Sequence, residues 1–116
     1  MLERLAAEQY DSIPGVPEPP ENPRLIGHEG EAGLLAAAYR AGRLHHAILL
    51  AGPPGIGKAT LAFRLVRHLL KYPRSTEAPE MMEDAEIASP LYRQIASGSH
   101  PSVLYLTRPF GEKRKV

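Results

Sequence analysis

Gly52-Pro53-Pro54-Gly55-Ile56-Gly57-Lys58-Ala59-Thr60 is the stretch of sequence that decides the fold of this chain. An apolar run at residues 47–51 precedes it, and a helical pattern begins at its lysine. The order of strand, glycine-rich turn and helix, with the spacing G-x-x-x-x-G-K, is typical of a P-loop that binds nucleotide phosphates. The alternative is a glycine turn with an incidental lysine, and the flanking strand and helix patterns argue against it.

The composition of the loop suits an anion. The start of a helix offers unpaired N–H groups and the positive end of the helix dipole, and glycines let the backbone approach a phosphate closely. The two prolines shape the loop without donating hydrogen bonds, because proline has no N–H group. Lys58 supplies a positive charge for the β- and γ-phosphates.

Ala59 departs from the motif at the position where a P-loop carries Ser or Thr. That hydroxyl normally binds the Mg²⁺ ion that bridges the β- and γ-phosphates. Thr60 follows one residue later, rotated by about 100° around a helix, so it is a poor substitute ligand. We therefore expect weak binding of ATP or ADP, no dependable Mg²⁺ site and impaired hydrolysis.

Composition limits the class of protein. The 116 residues suit one small domain or part of one, and a net charge of +1 gives no argument for direct contact with nucleic acid or membrane. The absence of cysteine excludes disulfides and a Cys-based zinc site. No run approaches the roughly 20 apolar residues of a membrane span, and no signal peptide is visible, so a cytoplasmic location is expected.

Residues 1–23 are interpreted as an extension that precedes the domain. Residues 1–9 show the spacing of a short helix, and five prolines between residues 14 and 23 predict an extended, polyproline-like linker. A peptide-recognition motif is the alternative, because residues 14–17 satisfy the bare pattern PxxP. Residues 24–116 then form the N-terminal part of the P-loop domain.

Three helices and two strands are predicted in the P-loop domain. The helices run from Glu29 to about Ala41, from Lys58 to Lys71, and from Pro90 to the stop at Gly98. The first is predicted to bury Leu34, Leu35, Ala38 and Tyr39. The second buries its leucines and leaves a basic side in solvent, formed by Arg64, Arg67, His68 and Lys71.

Residues 47–51 and 102–107 are the predicted strands, and they suit a β-α-β unit. The fold class is therefore α/β, a P-loop NTPase with a parallel sheet flanked by helices. Two strands do not complete such a sheet, and no acidic pair follows an apolar strand as in a Walker B segment. We interpret the chain as the N-terminal portion of a longer protein.

The paired histidines His45 and His46, with His100, raise a metal hypothesis. Neighbouring residues of a strand point to opposite faces, so the pair is not expected to chelate one ion. A role at the start of the strand is the preferred interpretation.

Four segments together resemble the delta-prime subunit of the bacterial DNA polymerase III clamp loader. They are Leu25-Ile26-Gly27-His28-Glu29, residues 43–50 with the step His45-His46-Ala47, residues 52–61, and Ser99-His100-Pro101-Ser102. The resemblance covers about residues 24 to 108. The P-loop by itself indicates only the AAA+ superfamily. The two histidine-containing segments, His45-His46-Ala47 and Ser99-His100-Pro101-Ser102, narrow the resemblance to this family.

The resemblance implies a non-hydrolysing stator subunit of a DNA polymerase III clamp loader. Such a subunit sits in a ring with the gamma/tau and delta subunits and helps to load the sliding clamp onto primed DNA, without catalysis of its own. The resemblance also implies that Leu25, Ile26 and Gly27 lie near the adenine pocket. Many members carry a cysteine-rich zinc module, whereas this chain has no cysteine, so no zinc is expected.

Two rival functions remain open at this point. One is an active AAA+ ATPase of DNA replication, such as a gamma/tau-like motor or a helicase loader, which needs a hydroxyl after the lysine. The other is a small-molecule P-loop kinase, in which the P-loop typically lies nearer the N-terminus.

The missing hydroxyl gives a first testable prediction. Ala59→Thr is expected to strengthen Mg²⁺-dependent nucleotide binding, because it restores the oxygen that coordinates the metal. Titration of a fluorescent ATP analogue with and without Mg²⁺ measures this. Ala59→Val, which has a similar shape and no oxygen, is the matched control, and equal affinities for the two variants would contradict the prediction.

Overall fold

Helix α2 is the central element of the fold. The computed structural model describes residues 5–7, 16–24, 27–51 and 57–105. These residues form three α-helices, α1 (Glu29–Arg40), α2 (Lys58–Lys71) and α3 (Pro90–Ser97), and two 3-10 turns, Pro19–Glu21 and Ser75–Glu77. α2 packs against α1, against α3 and against the first 3-10 turn. The predictions of three helices in these places are confirmed.

The C-terminal end of α1 is set by Gly42. This glycine has φ +70°, in the left-handed region that residues with a Cβ rarely adopt. Its N–H donates to Tyr39 O (2.9 Å), and the N–H of Arg43 donates to Ala38 O (2.8 Å). These two bonds form a Schellman motif, which satisfies carbonyl groups that the helix end would otherwise leave unpaired.

The buried face of α1 differs from the predicted one. Ala32 and Ala36 are buried, whereas Leu34 is 74% exposed. Leu35 is partly buried and packs against the same core. The helix presents the small residues to α2 because two helices approach closely where side chains are short. The prediction of Leu34 as a core residue is wrong.

The hydrophobic core lies between α1, α2 and the segment that follows the second 3-10 turn. Its buried members are Ala32, Ala36, Leu61, Leu65 and Met82. Met82 belongs to residues 79–86, a segment rich in acidic residues. Burial of Met82 fixes this segment across α1 and α2.

The basic side of α2 is largely buried, contrary to the prediction of a solvated face. Arg67 is 7% exposed and His68 is 4% exposed. Arg64 donates to Asp84 Oδ1 and to Met82 O, both at 2.8 Å. Residues 82–84 therefore cover part of a helix surface that would face solvent if the helix were alone.

Residues 16–24 pack as part of the domain and do not form a free linker. Glu21 is fully buried, and its carboxylate accepts backbone N–H groups from Leu5 (2.8 Å), Ala6 (3.0 Å) and Glu18 (2.9 Å). These bonds replace the water that a carboxylate would otherwise need. Residues 5–7 lie within the predicted N-terminal helix and are not helical. The division of the chain at residue 23 remains a prediction.

Helix α3 begins and ends where its sequence signals predict. The Ser89 side chain accepts a hydrogen bond from Tyr92 N (3.2 Å), Pro90 occupies the first turn, and Gly98 ends the helix at φ +77°. Tyr92 is 1% exposed, and its hydroxyl donates to Glu21 O at 2.6 Å. This bond fastens α3 to the first 3-10 turn.

Neither predicted strand is formed among the described residues. Residues 47–51 and 102–105 are irregular, and residues 106 and 107 lie outside the described ranges. Leu49 is 89% exposed and Leu104 is 82% exposed. A strand needs a hydrogen-bonded neighbour, and no such pairing is present in the part of the chain described. The parallel sheet is therefore not observed in the part of the chain that the structure describes.

None of the helices within the described ranges is both long enough and apolar enough to cross a membrane.

The corrected core gives a prediction about stability. Leu61→Ala is expected to lower the free energy of unfolding by about 2–4 kcal/mol, because Leu61 is 3% exposed and its removal leaves a cavity. The same substitution at Leu34, which is 74% exposed, is expected to cost less than about 0.5 kcal/mol. Urea denaturation of both variants tests this, and equal losses would support the buried stripe predicted from sequence.

Candidate nucleotide-binding site

The start of α2 holds the described part of the predicted phosphate loop. Gly57 is the N-cap of the helix with φ +89°, and its carbonyl accepts a hydrogen bond from Leu61 N at 2.9 Å. A Cβ would strain this left-handed conformation, which explains the glycine. The backbone N–H groups in the first turn of a helix have no intrahelical acceptors, so this end of α2 suits an anion.

Lys58, Ala59 and Thr60 form the first turn of α2 and are each half-buried. Ala59 therefore lies where the sequence predicts, directly after the lysine, and contributes no oxygen to a metal. The remaining loop residues Gly52, Pro53, Pro54, Gly55 and Ile56 lie outside the described residues.

Gly27 is the described member of the predicted adenine-pocket segment, since Leu25 and Ile26 lie outside the described residues. Gly27 (φ +78°) and His28 (φ +60°) are both left-handed. His28 O accepts from Ala32 N at 2.8 Å and so begins α1. A small cavity of about 60 Å³ lies beside Gly27, and residues 57–60 do not line it. That the two predicted parts form one site remains a prediction.

A second cleft, which the sequence did not predict, lies beside the C-terminal half of α2. We call it the α2 cleft. It has a volume of about 120 Å³. One wall consists of Arg64, Arg67, His68, Lys71 and Tyr72, and the other of Glu83–Glu86 with Ser89, Leu91 and Tyr92. The sequence does show basic residues at 64–71 and acidic residues at 83–86, which could have suggested a contact between the two segments. Nothing else in the sequence indicates that these segments lie side by side.

Ion pairs cross the rim of the α2 cleft. Arg64 pairs with Asp84 at 2.8 Å, and Lys71 lies 3.6 Å from Glu83. The Tyr72 hydroxyl donates to the Glu83 carboxylate. This bond, followed by the charge of Lys71, holds the pKa of Glu83 below its ordinary value.

Arg67 and His68 lie deeper in the cleft. Burial, together with the nearby charge of Arg64, lowers the pKa of Arg67 to about 10. Burial also lowers the pKa of His68, although the Glu83 carboxylate opposes that shift. The His68 ring contacts the rings of Tyr39 and Tyr72 edge-on, with centroids 5.9 Å and 5.5 Å away. His68 is therefore neutral in a largely aromatic setting near pH 7.

A family model for the magnesium chelatase, subunit ChlI, matches residues 25–114 of the chain. The chain belongs to this family. The family places it within the AAA+ superfamily, whose members typically bind nucleotide in a P-loop NTPase fold. The match includes the whole predicted phosphate loop and α1, α2 and α3.

The chain is also similar to a curated AAA+ protein, the Holliday junction branch migration complex subunit RuvB from Pediococcus pentosaceus. The two are 36% identical over 64 residues, which is 55% of this chain and 19% of the relative. The chain thus spans about a fifth of the length of that relative. No solved structure matched the chain. Neither match names the delta-prime family.

The histidines of this ChlI-family chain do not assemble a metal site within the described ranges, where no group of three or more metal-binding side chains occurs. The rings of His45 and His46 stack with centroids 4.5 Å apart, so the strand geometry that predicted opposite faces is wrong. The His100 Nδ1 accepts a hydrogen bond from Ser102 N at 3.1 Å and closes a turn.

His68 gives a prediction about pH. Because its pKa is lower in the folded protein than in the unfolded chain, the unfolded chain takes up more protons below about pH 6.5. Stability is therefore expected to fall as the pH drops from about 7.5 to about 5.5. Thermal unfolding of His68→Phe is expected to show a smaller decrease than that of His46→Gln, whose histidine is exposed. Equal pH dependence would contradict this assignment.

Proposed function

We propose that the chain forms the nucleotide-binding portion of an AAA+ protein that holds ATP or ADP weakly and does not hydrolyse ATP efficiently. The observation that carries the proposal is the order Gly57, Lys58, Ala59 at the start of α2. The first two residues retain what is needed to bind phosphate. The third removes the side-chain oxygen that would hold Mg²⁺.

The chemical argument separates binding from hydrolysis. Phosphate binding uses backbone N–H groups and a lysine charge, and both need only the glycine conformation at the helix start. Hydrolysis also needs a metal ion that neutralises charge as the bond to the γ-phosphate breaks. Loss of one metal ligand therefore weakens catalysis more than binding. AAA+ membership is consistent with nucleotide binding of this kind.

The finer proposal is the stator role in a DNA polymerase III clamp loader. What supports it is the sequence resemblance to the delta-prime family together with Ala59. Its partners would be the gamma/tau and delta subunits, with the sliding clamp and primed DNA reached through the complex. In that role the AAA+ fold supplies shape to a ring in which neighbouring subunits hydrolyse ATP.

An active AAA+ ATPase that works on DNA is the second candidate. The match to RuvB favours it, because that relative is named as a subunit of a Holliday junction branch migration complex. A motor of this kind needs a bound metal ion, which Ala59 does not help to hold. The two candidates therefore differ in one measurable quantity, the rate of ATP hydrolysis.

The binding half of the proposal is tested with Lys58→Ala. Removing the lysine charge is expected to weaken binding of a fluorescent ATP analogue by about tenfold or more, since a charge-assisted hydrogen bond contributes about 1.5–3 kcal/mol. Arg74→Ala is the control, because Arg74 is a strongly exposed cation with only a surface ion pair to Glu77. Unchanged affinity in Lys58→Ala would overturn phosphate binding by this loop.

The same protein preparation separates the stator from the motor. The stator predicts turnover far below ~1 per second, the scale of ordinary enzymes, with DNA and partner proteins present. Turnover at or above that rate, lost in Lys58→Ala, would establish the motor instead. Co-purification with gamma/tau and delta subunits supports the clamp-loader assignment, and its failure under conditions where those subunits assemble together would overturn it.

A further inference from the structure

The α2 cleft is separate from the candidate nucleotide site. Arg67 lies nine residues beyond Lys58 on the same helix, which corresponds to about 14 Å along the axis. The walls of the α2 cleft come from the C-terminal half of α2 and from residues 83–92. No function proposed above uses this cleft, so what it binds can be considered independently of the nucleotide.

Arg67 is a buried cation with spare hydrogen-bonding capacity. Its Nη2 donates to Asn22 O at 3.2 Å, while its Nη1 is shielded from solvent and has no acceptor among the described residues. A buried donor without a partner costs about 1–3 kcal/mol, and more when the group is charged. Such groups are uncommon and usually indicate a bound water, ion or ligand.

Two of the carboxylates that line the cleft are paired with other cations. Asp84 pairs with Arg64, and Glu83 accepts from Tyr72 and pairs with Lys71. Arg67 has no ion pair with either of them. The two acidic side chains thus neutralise the rim of the cleft and leave a positive charge at its base.

We propose that the α2 cleft binds a small organic monocarboxylate and that Arg67 is the anchoring residue. A guanidinium offers two parallel N–H donors that match the two oxygens of a carboxylate. Among the described residues Arg67 donates one hydrogen bond, at 3.2 Å to Asn22 O, and a small rotation of its guanidinium would present Nη1 to the ligand. The Nε2 of His68, also buried without an acceptor among the described residues, adds a donor in one tautomer.

The lining of the cleft selects among anions. Glu86, which has no ion pair among the described residues, lies on the opposite wall and repels a doubly charged phosphate more strongly than a singly charged carboxylate. Leu91, Ala85 and the Tyr92 ring supply apolar surface for the hydrocarbon part of the ligand. A volume of about 120 Å³ is several times the ~10–15 Å³ that one water molecule needs, so the cleft has room for an aromatic or short aliphatic acid.

Fluorine NMR of fluorobenzoate with the complete protein tests the proposal. Saturable line broadening is expected, and it should persist with saturating ATP and in Lys58→Ala, because the nucleotide loop is not involved. Arg67→Gln is expected to weaken binding by about tenfold or more. Arg74→Gln, which removes an exposed guanidinium, is the matched control and should bind as the unmodified protein does.

A second variant keeps the test decisive if Arg67→Gln does not fold. Ala85→Leu adds bulk to the wall of the cleft and leaves Arg67 in place, and it is expected to abolish fluorobenzoate binding. Absence of saturable binding to the folded protein would overturn the proposal. The interpretation would then be that Arg67 Nη1 and His68 Nε2 donate to bound water. Tighter competition by inorganic phosphate than by unlabelled benzoate, retained in Lys58→Ala, would overturn the choice of a monocarboxylate.

Discussion

Burial of both sides of helix α2 is the constraint on which the rest of the structure depends. One side carries leucines that join the core with α1, and the other carries Arg64, Arg67 and His68. A helix with charged residues on one side normally leaves them in water, because dehydrating a charge is costly. Here Asn22, Met82 and Asp84 supply acceptors for the two arginines, and burial lowers the pKa of His68. The segments around residues 22 and 84 are therefore ordered by the helix, and the helix is enclosed by them.

This enclosure positions the two ends of α2 for different chemistry. At the N-terminal end, Gly57 turns the chain so that backbone N–H groups face outward, where a phosphate can bind. Towards the C-terminal end, buried cations face a cleft bounded by acidic residues. Because a single rigid helix connects the two, a ligand at either end acts on a helix whose sides are already packed. The AAA+ family match covers the helix and both of these sites.

Local chemistry was predictable from sequence, and long-range pairing was not. Gly42, Gly98 and the Ser89-Pro90 pair set helix ends through bonds within a few residues, so the pattern alone identified them. The prediction of a solvated basic face was wrong because the hydrogen-bond partners of that face are distant in sequence. Asn22 lies 45 residues before Arg67, and Asp84 lies 20 residues after Arg64. The strands failed for a related reason, since pairing requires a neighbour that the described residues do not supply. In the candidate nucleotide site, the described residues 57–60 lie at the helix start that the sequence predicts. The α2 cleft was not predictable, because it forms through contacts between segments far apart in the sequence, and hydrophobic periodicity carries no information about such contacts.

The buried carboxylate of Glu21 links residues that are far apart in the sequence. The carboxylate of Glu21 accepts hydrogen bonds from the backbone N–H groups of Leu5 and Ala6. The backbone carbonyl of Glu21 accepts one from the Tyr92 hydroxyl, and that of the next residue, Asn22, accepts one from Arg67. A protein shortened to start at residue 24 would keep every residue of the P-loop motif. It would also leave the Tyr92 hydroxyl and the Arg67 guanidinium without these acceptors inside the domain. Within the proline-rich stretch, the turn Pro19–Glu21 thus packs against both α2 and α3.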